Sequence, residues 1–349
     1  MATERTTPRS GARRRMLLLG ASALLLAAAA PTITPAESSA TVRAAKPKRP
    51  PAVRTWPFEY TAHNGTTRHA YLVLPATYGP GRNPPLPVII SPHGRNANGL
   101  SNSRYFGDLP AKGRFAVISP DGMGRRLGLK SYAFRGQIGD LARMPQIAMK
   151  ALPWLRLDLE RVYALGSSMG GQETLMLVAH YPRLLAGAAA MDSVTDLSRR
   201  YGQLLDVPCG ERCLRRFGKQ YGLVLQAAMR DEVGGTPSTS PTQYAARSAS
   251  AFARAIAASR VPLQIWWSSA DEVVTDQKHQ SEALFRELKR LNRCAPVSAY
   301  AGRWQHSVEM RSTELLPIAL HELGLLRRGK KLPRSVHHQP APACSEVAS

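Results

Sequence analysis

YALGSSMGGQETLMLVAHYP, residues 163–182, places two serines side by side in a glycine-rich turn between an apolar run and a helical pattern. Within it, Gly166-Ser167-Ser168-Met169-Gly170 matches G-x-S-x-G with Ser168 at the centre. So short a pattern recurs by chance, and its weight comes from what flanks it. Residues 161–165 read as a buried strand, and a helix begins near Gly171. A strand that turns straight into a helix forces its central residue into strained backbone angles and lifts that side chain above the sheet. Gly166 and Gly170 keep Cβ atoms away where strand and helix nearly touch, and Gly171 gives room at the helix start. The helix directs its free N–H groups and positive dipole end at the serine. Ser167 lacks glycines two residues before and after it and is the weaker nucleophile.

Working outward, RHAYLVL (68–74), PLPVIISPHG (85–94), FAVISPDG (115–122), VYALGS (162–167), LLAGAAAMDS (184–193) and PLQIWWSSAD (262–271) carry strand signals. Most are short runs without polar alternation, as expected of strands covered on both faces. Helical patterns fill 139–155, where Pro145 interrupts the early turns, 172–181 and 275–291. This alternation predicts an α/β fold: a mostly parallel central sheet with helices on both faces. Ligands then bind beyond the carboxyl ends of the strands, where His93-Gly94, Asp121-Gly122, the serine turn, Asp192 and Asp271 all fall. Residues 197–258 break the alternation and read as an insertion that either covers the site or adds packing bulk.

A serine hydroxyl needs a base, and the base an orienting carboxylate. His306, in GRWQHSVEM after the strand-like VSAY, is the candidate base; His321 lies in an apolar helix, and His337 and His338 in a Pro-rich tail. Asp271 closes the strand PLQIWW and is the candidate acid; Asp276 reads as a helix cap, and Asp192 as a rival acid or a turn cap. The N–H of Met169 and that of Arg95, in the loop after an early strand, are the candidate oxyanion donors, with Asn96 or the Arg95 guanidinium toward the substrate. Such chemistry requires no metal or organic cofactor, and it needs a neutral imidazole, hence a neutral to mildly alkaline working pH. Trp266, Trp267 and Trp304 near these residues fit either an aromatic cleft or the core.

The ends of the chain read differently. Arg13-Arg14-Arg15, an apolar run over 16–30 and then small residues form a secretory signal over 1–40, with a twin-arginine export pattern or an ordinary signal as alternatives. A basic Pro/Ala linker (41–55), a catalytic domain (56–327) and a basic Pro-rich tail (328–349) follow, and no later run reaches the length of a membrane span. The expected location is extracellular. The 349 residues carry a net charge of +23; five Arg and two Glu lie in 1–40, leaving +20 without them. That charge suits anionic cell-wall or membrane surfaces, but no finger, aromatic platform or basic recognition helix accompanies it, which argues against specific nucleic-acid binding. Four cysteines fit an oxidising compartment. Cys209 and Cys213 are close enough for a small loop, which would leave Cys294–Cys344 to pin the tail, although three pairings are open. No histidine stands at metal-ligand spacing from them.

PHG at 92–94, DLERVYALGSSMGGQETL at 158–175, GGTPSTSPTQYAARS at 234–248, ADEVV at 270–274 and the late His306 together resemble the α/β-hydrolase superfamily. More closely, the chain resembles the prolyl-oligopeptidase-like catalytic domain and neighbouring secreted esterases, over residues 68 to about 325. The resemblance implies Ser168 as nucleophile, Asp271 as acid, His306 as base and Met169 as oxyanion donor. Two departures stand out. The family's peptidases carry a β-propeller that admits only short peptides, whereas a signal and a linker precede the domain here. A glycine often follows the histidine in relatives, whereas WQHS stands here. The implied function is a secreted serine hydrolase of small or polymeric carboxylic esters; a serine peptidase and a non-catalytic binding protein on the same fold are the alternatives.

Overall fold

The computed structural model describes residues 52–95, 97–126 and 128–344. The 1–40 segment and most of the 41–55 linker lie outside these residues, as does Asn96. The strands are β1 (Val53–Thr61), β2 (Thr67–Pro75), β3 (Leu86–Ile90), β4 (Ala116–Pro120), β5 (Leu157–Ser167), β6 (Gly187–Met191), β7 (Leu263–Ser268), β8 (Val297–Gly302) and β9 (His337–Gln339). They form one sheet in the order β1-β2-β4-β3-β5-β6-β7-β8-β9. The six strands from β4 to β8 in that order pair in parallel; β1, β2 and β9 pair antiparallel at the two edges.

Every residue of β3, β4, β6 and β7 is buried, as the unbroken apolar runs foretell. Period-2 alternation divides them between two cores. Val88, Ile90, Ile118, Ala164, Ala188 and Ile265 pack on one face of the sheet. Ile89, Val117, Leu165, Ala189, Met191 and Trp266 pack on the other. The helix Arg135–Ala151 lays Ile138, Leu141, Met144 and Ala148 on the first face. It begins a turn before the expected start and runs through Pro145 at mid-length, because those apolar contacts outweigh one missing N–H.

The segment 197–258 folds as short helices, chiefly Leu197–Gln203, Glu211–Phe217 and Tyr221–Val233. Leu197, Leu204, Leu225, Met229 and Val233 form a third core with Met169 and Val274, which stand at the carboxyl edge of the sheet. The insertion therefore covers that edge. Its Glu232 and Arg247 make a buried ion pair at 3.1 Å, and Glu232 also accepts the N–H groups of Arg125 and Arg126 after β4. The GGTP…RS stretch thus has a structural part: Arg247 ties the insertion to the Ser131 carbonyl and pairs with Glu232 inside it.

Two boundaries differ from the sequence reading. β1 begins at Val53, so 53–55 belong to the sheet and not to a linker. The Pro-rich tail supplies β9, whose pairing with β8 no composition signal announces. Both disulfides fall as first paired, Cys209–Cys213 and Cys294–Cys344, the second fastening that tail. Among the described residues no helix is long and apolar enough to cross a membrane.

Candidate active site

β5 ends at Ser167 and the helix Met169–His180 starts two residues later, leaving Ser168 alone in the turn with φ 61° and ψ −124°. An L-residue takes such angles only when its surroundings impose them. The glycines show how. A Cβ on Gly166 would stand 2.6 Å from the Gly170 carbonyl, and one on Gly170 would stand 2.3 Å from the Pro92 oxygen. One on Gly171 would meet Ser193 Oγ at 2.2 Å. The turn is pressed between two neighbouring loops as well as against its own helix. Tyr132, Ala133, Asp192 and Ser307 share positive φ with Ser168, which concentrates strain at this edge.

Asp271 follows β7 and is almost wholly buried. Its Oδ1 accepts the N–H groups of Val273 and Val274 at 2.8 Å each; its Oδ2 accepts Gln277 Nε2 at 3.2 Å and faces His306 Nδ1 at 2.8 Å. That arrangement fixes the imidazole with Nδ1–H toward the carboxylate and leaves Nε2 as the proton acceptor. The loop carrying His306 sits against the serine turn, because Ser307 Oγ lies 3.1 Å from Ser167 Oγ. Asp276 instead binds His279 and Gln203. His321 Nδ1 faces the Leu326 carbonyl, and His338 stacks on Tyr300.

His93 Nε2 accepts the Gly122 N–H at 2.8 Å, so Nδ1 carries the proton and donates to the Gly94 carbonyl. Burial holds this imidazole below its usual range. It clamps the loop after β3 to the loop after β4. A Cβ on Gly94 would lie 3.8 Å from Ser168 Cβ, so the loop passes directly over the serine and presents Arg95 next. Arg95, Ser168 and Met169 line one small cavity of about 30 Å3. A larger cavity, about 580 Å3, has Lys112, Arg327, Arg328 and Lys330 among its lining residues and includes none of these three.

No family model and no curated protein sequence matches this chain. Solved structures do. Acylaminoacyl peptidase from Pyrococcus horikoshii superposes with a TM-score of 0.57 at 15% identity, over 81% of this chain and 43% of that one. S-formylglutathione hydrolase from Staphylococcus aureus superposes with a TM-score of 0.53 at 16% identity, over 78% of this chain and 98% of that one. The chain has the α/β-hydrolase fold. It spans less than half the length of the Pyrococcus peptidase.

Within the α/β-hydrolase fold, the residues after β6 and β8 form a network that sequence reasoning missed. Asp192 accepts Ser268 N–H and Trp304 Nε1–H at 2.9 Å each, and Glu309 accepts the Ser167 hydroxyl at 2.6 Å. Burial raises both carboxyls, Glu309 to about 7 and Asp192 well above the usual carboxylate range, with each other's charge adding to the effect on Asp192. The pair favours holding one proton between them. Asp192, Asp271 and His306 each bring a potential metal-ligand atom within 4.8 Å of the others. All four carboxylate oxygens of the two aspartates already accept N–H groups, an arrangement that orients side chains. The tryptophans form no cleft. Trp266 is buried in a stack with Tyr300, Trp267 packs on Phe285, and Trp304 serves Asp192.

Proposed function

We propose that this protein is a secreted serine hydrolase that cleaves carboxylic esters through Ser168, His306 and Asp271. One observation carries the reading. Ser168 stands at φ 61° in a strand-to-helix turn, at the sheet edge where a partly exposed His306 already pairs with the buried Asp271 at 2.8 Å. His306 takes the Ser168 proton as the hydroxyl oxygen attacks the substrate carbonyl carbon. Asp271 steadies the resulting imidazolium. The N–H groups of Met169 and Arg95 receive the developing oxyanion, and loss of one such donor typically costs about 3–4 kcal/mol of barrier. His306 then protonates the departing alkoxide, and water attacks the acyl-serine by the same route in reverse. These groups complete the cycle without a cofactor.

Two disulfides support an oxidising destination, consistent with the signal-like first forty residues. The likeness to S-formylglutathione hydrolase, matched over nearly its whole length, supports hydrolysis of an acyl group held in an ester-like bond. The likeness to acylaminoacyl peptidase favours a second reading, amide cleavage, by the same machinery. Rates on 4-nitrophenyl butyrate and on a peptidyl 4-nitroanilide, each with Ser168→Ala as control, test both. Ester turnover lost in the variant supports the first reading. Preference for the anilide moves the assignment to peptidase, and no Ser168-dependent turnover on either ends both.

A further inference from the structure

We propose that the substrate carries a free carboxylate, received beside Ser168 by Arg200 with Arg95 next to it. This rests on the hydrolase reading above. The cavity at Ser168 is lined by Arg95, Tyr132, Gln172 and Arg200 and closed by aliphatic side chains of the insertion. Arg200 is only 4% exposed. Its Nη2 donates to the Val273 carbonyl, while its Nη1 is buried without a hydrogen-bond partner. Among the described residues it forms no ion pair. The nearby carboxylate of Asp271 attracts it, but both Asp271 oxygens are taken by backbone N–H groups, Gln277 and His306. Asp206, more distant in effect, is exposed.

A guanidinium left half-bonded out of water is costly, and a fold retains one where something else completes it. Burial pulls Arg200 down to about 10, which still leaves it cationic at neutral pH. Arg95 adds a second positive charge that disfavours the first. An anion between them offsets both penalties, and a planar carboxylate matches the guanidinium fork. Arg200 and Ser168 line the same small cavity, which places the carboxylate a few bonds from the scissile carbonyl.

The test uses mono-4-nitrophenyl esters of succinic, glutaric and adipic acids against their methyl-capped counterparts, which lack only the charge, with uncatalysed rates subtracted. For the best chain length, the wild type is expected to show kcat/KM roughly 10- to 100-fold higher on the free acid. Arg200→Met is expected to bring that ratio close to one. A second measurement needs no variant: free dicarboxylate of the preferred length slows labelling of Ser168 by a neutral fluorophosphonate, and the matching diamide does not. A wild-type ratio of one or less, a ratio kept in Arg200→Met, or equal protection by diamide overturns the proposal. Ser168 labelling with a ratio near one sinks the carboxylate site alone, whereas absence of both labelling and turnover sinks the hydrolase reading and this proposal with it.

Discussion

Glu309 accepts the Ser167 hydroxyl at 2.6 Å, which ties the residue before the candidate nucleophile to the loop that bears the candidate base. The serine turn and the histidine loop are thereby held to each other. Glu309→Ala is expected to lower kcat by about 10- to 100-fold with KM little changed, since small displacements of reacting groups are expensive. Glu309→Gln keeps an acceptor for Ser167 and should lose at least several-fold less. Steady-state kinetics on an ester substrate read the gap, and equal losses would show that this hydrogen bond does not hold the turn.

Two aspartates border His306, and only Asp271 bonds its Nδ1. Asp271→Asn is expected to reduce kcat by about 10^4-fold, through the wrong tautomer and an unsupported imidazolium. Asp192→Asn, which touches Trp304 and Ser268, should cost roughly tenfold or less. A reversed ranking in kcat would transfer the acid role to Asp192.

Glu173 lies wholly buried one turn into the helix that follows Ser168, and burial pushes its carboxyl from 4.5 up to about 8. A raised folded value means that the fold keeps the proton after the unfolded chain has released it. The stabilisation is complete below about pH 4.5 and is lost as pH climbs towards 8. Glu173→Gln is therefore expected to gain a few degrees in Tm relative to wild type at pH 8 and distinctly less at pH 5. Thermal melts of the two proteins across this range check it, and a difference that does not vary with pH would refute it.

The bridge Cys294–Cys344 spans 50 residues of chain, against 4 for Cys209–Cys213. Loop-closure entropy assigns about 4 kcal/mol to the former and about 2 kcal/mol to the latter. Cys344→Ser should accordingly lower Tm more than Cys213→Ser. Melting curves with the inverse order would show that the short bridge stiffens the insertion beyond its entropic worth.

The parallel centre of the sheet was legible because strands covered on both faces spell unbroken apolar runs, as in Val88, Ile89 and Ile90. Ser168 was legible through its glycines, each of which meets a close neighbour. The meeting of His306 with Asp271 was legible from chain order and strand ends. Glu309 was not, since one glutamate in a loop gives no sign that the surrounding loops enclose it. Arg200 was hidden for a related reason: an arginine on a short polar helix reads as solvated, and only the covering insertion buries it. Of the two readings open for Trp266 and Trp267, the core holds, because adjacent strand tryptophans point to opposite faces and enter two different cores.

The three residues of β9 cap the outer edge of β8, at Ala299, Tyr300 and Ala301, and a single covalent link holds that cap's chain in place. A bare β8 rim would offer unpaired amides to any passing extended chain, the common seed of inclusion bodies. Manufacture in a thiol-rich cytosol should therefore yield insoluble material through this rim, while the same gene expressed in an oxidising host should yield dispersed, folded protein.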